Sequence, residues 1–204
     1  MFKPVPPSSP VLVLIGTLCF SALVAGCRAD SKRNGDHENV QIATPFGGMS
    51  VKTDEAPIEG SVGLSVYPGA TLIKQNRNDG AADINMSFGN FHLGVKALTF
   101  HSADSPDKVT SFYRKDMARY GAVLLCHRER PVGQPDHTQD GLTCDNSKGG
   151  HVHLDTEDDK QELKAGSRLQ QHIVSIDPDG TGTKIALVAL DLPGSTSDPE
   201  SKGQ

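Results

Sequence analysis

The chain has 204 residues, with 25 acidic and 20 basic side chains and a formal net charge of −5. This length is typical of one domain, and the acidic balance provides no positively charged footprint for a phosphate backbone, so we do not expect nucleic-acid binding. The chain has no Trp but 21 Gly and 13 Pro, which predicts many turns around a modest core.

Residues 1–26 have the composition of a secretory signal peptide. Lys3 precedes an uncharged apolar run over residues 11–24, and charged residues follow from Arg28 onward. A membrane-spanning helix needs about 20 apolar residues, and this run is shorter and is interrupted by Gly16. Export with removal of the segment is therefore the interpretation that we favour, with an uncleaved anchor as the alternative.

The end of this segment, Leu23-Val24-Ala25-Gly26-Cys27, resembles a bacterial lipobox. Small side chains at Ala25 and Gly26 would give a peptidase access to the bond, and the thiol of Cys27 would accept palmitate-type acyl chains. The resemblance implies an exported lipoprotein whose mature chain begins at the lipidated Cys27. In a cell with two membranes, Arg28 at the next position favours the outer membrane, facing the periplasm. An ordinary cleaved signal peptide would leave the position of Cys27 unexplained.

Residues 27–61 are expected to form the lipidated cysteine and a flexible tether, because the stretch from 28 to 39 is polar and mixed in charge. A short hairpin is predicted within it at 40–52, around Gly47-Gly48. A similar pattern recurs near residues 84–93. The repetition indicates an internal duplication, a strand that pairs with the similar strand, or only the residue pattern that hairpins have in common.

Residues 62–193 are expected to form an α+β domain, an antiparallel sheet covered on one face by a single amphipathic helix. Ser105 and Pro106 predict the helix start, an apolar stripe from Val109 to Tyr120 follows, and Gly121 predicts its end. Strands are predicted at 81–88, 91–101, 122–127, 161–165, 168–177 and 183–191, and a disordered tail at 194–204. The Tyr67-Pro68-Gly69-Ala70 turn and this helix resemble those of uncharacterised exported bacterial proteins.

Two cysteines remain for the folded domain once Cys27 is assigned to lipid. Cys126 and Cys144 would lie in an oxidising compartment, where disulfides persist, so we predict a bond between them. A thiol redox site is the alternative, although the C-x-x-C spacing that would favour it is absent.

His151, His153 and Asp155 alternate along a predicted strand and would therefore share one face. With a further ligand such a group could bind Zn²⁺ or Cu²⁺. A solvated strand face, with Val152 and Leu154 directed into the core, is the competing interpretation.

The remaining polar motifs are more typical of turns and solvated loops than of metal-binding or catalytic sites. Residues 177–181, Asp-Pro-Asp-Gly-Thr, match a tight turn better than a Ca²⁺ loop, and the acidic run at 157–159 is typical of a solvated loop. Cys126 and His127 are adjacent on a predicted strand and point to opposite faces, so they form no catalytic dyad. No G-x-S-x-G motif is present.

These patterns together predict a non-catalytic lipoprotein that binds the membrane through its anchor and an unidentified envelope protein or component through its domain. The alternatives are a periplasmic metal-binding protein that uses the His-x-His strand and, third, a hydrolase.

Overall fold

The computed structural model describes residues 27–34, 37–53, 58, 60–75, 78–145 and 160–194. In these ranges the chain forms thirteen strands and one α-helix. The strands are β1 (Arg28–Asn34), β2 (His37–Thr44), β3 (Gly47–Lys52), β4 (Thr71–Leu72), β5 (Lys74–Gln75), β6 (Asn78–Asp79), β7 (Ala81–Phe88), β8 (Phe91–Ser102), β9 (Leu124–His127), β10 (Arg130–Pro131), β11 (Gln161–Gly166), β12 (Gln170–Asp179) and β13 (Gly182–Asp191). Helix α1 (Pro106–Met117) continues into a 3₁₀ turn at Ala118–Tyr120.

The predicted α+β class is wrong, because the fold is β-rich. Among the described residues one antiparallel sheet holds eleven strands, in the order β1-β2-β3-β7-β8-β13-β12-β11-β9-β10 with β4 added beside β8. Strands make up 53% of the structure, against 15 helical residues. Helix α1 packs on β11, β12 and β13, which is only part of the sheet. Periodicity identified the helix, but it does not report how many short strands join one sheet.

The N-terminal segment differs from the expected tether. β1 begins at Arg28 and pairs along its whole length with β2, from Arg28 opposite Ala43 to Asn34 opposite His37. The hairpin predicted at 40–52 corresponds to β2 and β3. Main-chain bonds can hold a polar segment at a sheet edge, where charged side chains are common.

The two hairpins β2–β3 and β7–β8 lie side by side, because β3 pairs with β7. The similar segments noted in the sequence are therefore neighbouring hairpins that turn at the same end of the sheet. Gly47 lies opposite Phe88, and a Cβ added at Gly47 would approach the carbonyl oxygen of Ser87 to 2.0 Å. Glycine is thus required for the two tips to approach so closely.

The main core lies between α1, residues 58 and 60–67, and the central strands. Its fully buried members include three side chains on α1 and aliphatic side chains of β8, β11, β12 and β13: Val109, Tyr113, Met117, Leu98, Leu163, Val174, Ile176, Ile185 and Leu187. Phe112, on the predicted stripe, is only partly buried and packs edge-on against Tyr67 at 5.1 Å between ring centroids. A smaller cluster of Ile173, Val188 and Leu190 lies on the opposite face of the sheet.

Asp104 fixes the start of the helix. Its carboxylate accepts hydrogen bonds from Tyr67 Oη at 2.8 Å and Lys108 Nζ at 2.9 Å, and its carbonyl accepts one from Thr183 Oγ1 at 2.7 Å. The bond from Lys108, followed by that from Tyr67, lowers the pKa of Asp104. Ser105 occupies the N-cap position but makes no side-chain capping bond, so Asp104 ties the helix to β13 instead.

Met117→Ala tests the contact between helix and sheet. Met117 is fully buried, so the truncation should lower the free energy of unfolding by roughly 2–5 kcal/mol. The same substitution at half-buried Met49 on β3 is the control and should cost less. Urea denaturation measures both values, and equal losses would contradict the assigned core.

Candidate functional site

Cys27 is exposed, carries a free thiol and immediately precedes β1. Arg28 pairs with Ala43, so Cys27 lies beside Thr44 at the β2–β3 turn. Arg28 forms an exposed ion pair with Asp30 at 2.8 Å. The proposed attachment point therefore lies at one defined end of the sheet.

Three phenylalanines project from the same end of the sheet, and we call them the aromatic tip. Phe46 lies in the β2–β3 turn, and Phe88 and Phe91 face each other at the β7–β8 turn. Their exposed fractions are 84%, 44% and 41%. The amide of Gly89 donates a hydrogen bond to the carbonyl of Phe46 at 3.2 Å, so the two turns are held together.

The segments that form these tips contain no Asp, Glu, Lys or Arg. Residues 39–51 and 84–95 are free of these charges, although 22% of the chain is charged. Large apolar groups grouped on an uncharged surface are typical of an interaction site. The sequence predicted both hairpins, but their exposure became evident only from their alignment in the sheet.

A shallow groove of about 190 Å³ crosses β1, β2 and β3, and it extends from Arg28 near this end along the strands to Lys32 and Lys52. Its charged lining residues are Arg28, Asp30, Lys32 and Lys52, and Asn39 and Gln41 add amide groups. Three cations against one carboxylate give the groove a positive balance. Such a surface is attracted to anionic groups.

Cys126 and Cys144 form a disulfide, as the cysteine count predicts, with 5.5 Å between their Cα atoms. Both residues are buried, and they pack with Leu124 and Leu142 in a separate apolar cluster. Lys164, which is also buried, lies 3.5 Å from the carbonyl oxygen of Cys144 and 3.5 Å from Glu162. Burial of both sulfurs favours a structural bond over an exchanging redox pair.

The double variant Cys126→Ala/Cys144→Ala tests the contribution of the bond. Opening a loop with a sequence separation of 18 should cost roughly 3 kcal/mol by loop entropy. Urea unfolding measures the loss, and non-reducing peptide mass spectrometry checks the bond in the parent protein. Two alkylatable thiols at these positions in protein taken directly from cells would contradict the bond.

A second polar cluster joins residues 63–65 to the end of the helix. The carbonyl of Gly63 accepts hydrogen bonds from Tyr120 Oη and Arg119, and the Tyr120 ring stacks on His172 with centroids 3.7 Å apart. Gly63 has φ +74°, and a Cβ there would lie 2.8 Å from Tyr120 Oη. These contacts hold residues 63–65 in place.

His172 supplies the imidazole of this cluster. Burial lowers its pKa from the usual 6.5, and the charge of Arg119 lowers it further. Its buried Nδ1 has no hydrogen-bond partner among the described residues. The hydroxyl of Ser65 donates to Asp116 at 2.8 Å, and Arg119 also pairs with Asp116. Asp116 thus engages Ser65 directly and not through His172, which is not the geometry of a serine-hydrolase relay.

His172→Phe tests this environment, because Phe keeps a ring against Tyr120 but binds no proton. The depressed pKa means that the unfolded state holds more protons than the folded state just below the usual value. This contribution to stability should therefore be complete above the usual pKa of 6.5 and fall as the pH is lowered from there towards the folded-state pKa. Thermal midpoints across this range should show wild type losing stability relative to the variant. A pH-independent difference would contradict a lowered pKa.

The predicted metal ligands His151, His153 and Asp155 lie outside the described residues, as does the acidic run at 157–159. In the part of the chain that is described, no group of three or more His, Cys, Asp or Glu side chains could hold a metal ion. Zn²⁺ or Cu²⁺ binding by the His-x-His strand stays a prediction. Asp179 pairs with Gly182, so the 177–181 segment ends β12 in a tight hairpin turn.

No protein-family model, curated protein or solved structure matches this chain. Among the described residues there is no helix of the length and apolarity needed to cross a membrane.

Proposed function

We propose that this protein is an exported, membrane-anchored lipoprotein whose β-rich domain is a non-catalytic binding or structural module of the cell envelope. The observation that carries the proposal is Cys27 itself. It follows the lipobox-like Leu23-Val24-Ala25-Gly26, and its thiol is exposed and unpaired at the start of β1. Acyl chains on this sulfur would have open access to a bilayer.

The lipid anchor would bind the membrane stably and hold the domain close to it. Two or three acyl chains bind far more firmly than one, because each buried CH₂ contributes about 0.8 kcal/mol. Since β1 begins at the residue after Cys27, no flexible spacer separates the anchor from the sheet. The domain would lie directly at the bilayer surface. A flexible tether of some thirty residues would instead have allowed it to lie at a distance from the bilayer. The outer membrane, on its periplasmic side, is our expectation for a cell with two membranes.

The arrangement of polar groups supports a non-catalytic module. Tyr67 and Lys108 bond to Asp104, and Ser65 and Arg119 bond to Asp116. Each cluster thus connects the helix to a neighbouring segment of the fold. We propose that the domain's partner is an envelope protein or component.

Cys27→Ser tests the anchor, with Cys19→Ser as the matched control because Cys19 lies in the segment expected to be removed. Cys27→Ser should abolish palmitate labelling, because serine offers no sulfur for the acyl transfer, and the variant should keep the apolar segment at 11–24. Cys19→Ser should label as wild type does. Intact mass identifies the mature N-terminus, and an unmodified Cys27 in the wild-type protein would contradict the proposal.

A further inference from the structure

We propose that the aromatic tip of Phe46, Phe88 and Phe91 inserts into the surface of the same bilayer that holds the lipid on Cys27. The inference rests on the proposed lipid anchor and adds a second contact, made by side chains. Together the two contacts would fix how the sheet stands on the membrane.

The strand register places the anchor and the aromatic tip at one end of the sheet. Cys27 precedes Arg28, which lies opposite Ala43, and Thr44 lies opposite Gly47 across the β2–β3 turn. Gly47 pairs with Phe88, which in turn pairs with Phe91. From β1 to β8 there are four strand spacings of about 4.8 Å, or roughly 20 Å. A flat bilayer surface can contact the whole row at once.

The chemistry of this end suits the boundary between headgroups and acyl chains. Phe46 is 84% exposed, so water surrounds a side chain that ordinarily gains free energy from burial. The tip segments contain no Asp, Glu, Lys or Arg that the acyl region would have to desolvate, and their one titratable side chain, His92, lies 3.5 Å from Asp191. The groove cation nearest this end is Arg28, while Lys32 and Lys52 lie further along the strands. The guanidinium of Arg28 would be the first of the three to meet anionic headgroups.

The lipid anchor favours the bilayer over a second protein as the occupant. Acyl chains on Cys27 would bring a membrane to the exposed phenylalanines, because no spacer separates Cys27 from β1. A partner protein would have to displace lipid from the same surface. Contact between the aromatic tips of two copies of the chain would therefore oppose the proposal.

The absence of Trp from the chain makes a direct test practicable. Phe46→Trp and Phe91→Trp are made in the full-length protein, purified with its lipid and reconstituted into vesicles of phosphatidylethanolamine and phosphatidylglycerol. Val132→Trp is the matched control, since Val132 is 47% exposed. The amide of Val132 donates a hydrogen bond to the carbonyl of Leu125 on β9, and β9 pairs with β11. These strands lie towards the edge of the sheet opposite β1.

Tryptophan at the tip should be quenched at least ~2-fold more by acyl-chain bromine than tryptophan at position 132, as expected for insertion of roughly 5–10 Å. It should also be protected from iodide in the aqueous phase, and its emission should shift to the blue. Thermal unfolding of each variant checks that the fold is kept.

The two proposals fail in different ways. An intact mass without lipid on Cys27 overturns the anchor and the orientation that depends on it. A lipidated protein whose tip tryptophans stay open to iodide and resist bromine overturns tip insertion alone. Shielding that depends on protein concentration and not on vesicles assigns the tip to a second copy of the chain, and it also overturns the proposal.

Discussion

The pairing of β8 with β13 is the constraint on which the rest of the fold depends. It joins the N-terminal hairpins to the C-terminal strands, and on the helix side it sets Phe100 beside Ile185 and Leu98 beside Leu187. All four side chains are buried. Such distant segments pair only after a long loop has closed, and that closure costs entropy. Helix α1 lies within this connection and packs on β11, β12 and β13, so the connection itself contributes to the core.

Local patterns predicted the elements well and their assembly poorly. The helix start at Ser105-Pro106, the β7–β8 hairpin and the strands on both sides of Gly180 are encoded in turn residues and periodicity close in sequence. The class was wrong because β1, β2 and β3 extend the sheet through pairing with β7. That pairing depends on main-chain bonds and on the missing side chain of Gly47, which no periodicity reports.

The candidate site divides in the same way. The Cys126–Cys144 disulfide could be predicted from the cysteine count, whereas lipid on Cys27 stays a prediction. The aromatic tip could not, since Phe46 and Phe88 look like ordinary core positions until two hairpins are aligned at one end. The uncharged stretches at 39–51 and 84–95 were the available signal. No sequence signal identifies His172, because its burial against Tyr120 is created by the tertiary structure.

The polar composition of β1 has a different meaning once the segment is a strand. β1 lies at one edge of the long sheet, and an exposed edge strand is a template for pairing with other chains. Anchoring in a membrane would confine all copies to one surface and raise their local concentration. Arg28, Asp30 and Lys32 are exposed along this edge, where charge opposes edge-to-edge pairing. The charges that resemble a tether in the sequence would thus keep neighbouring anchored copies apart.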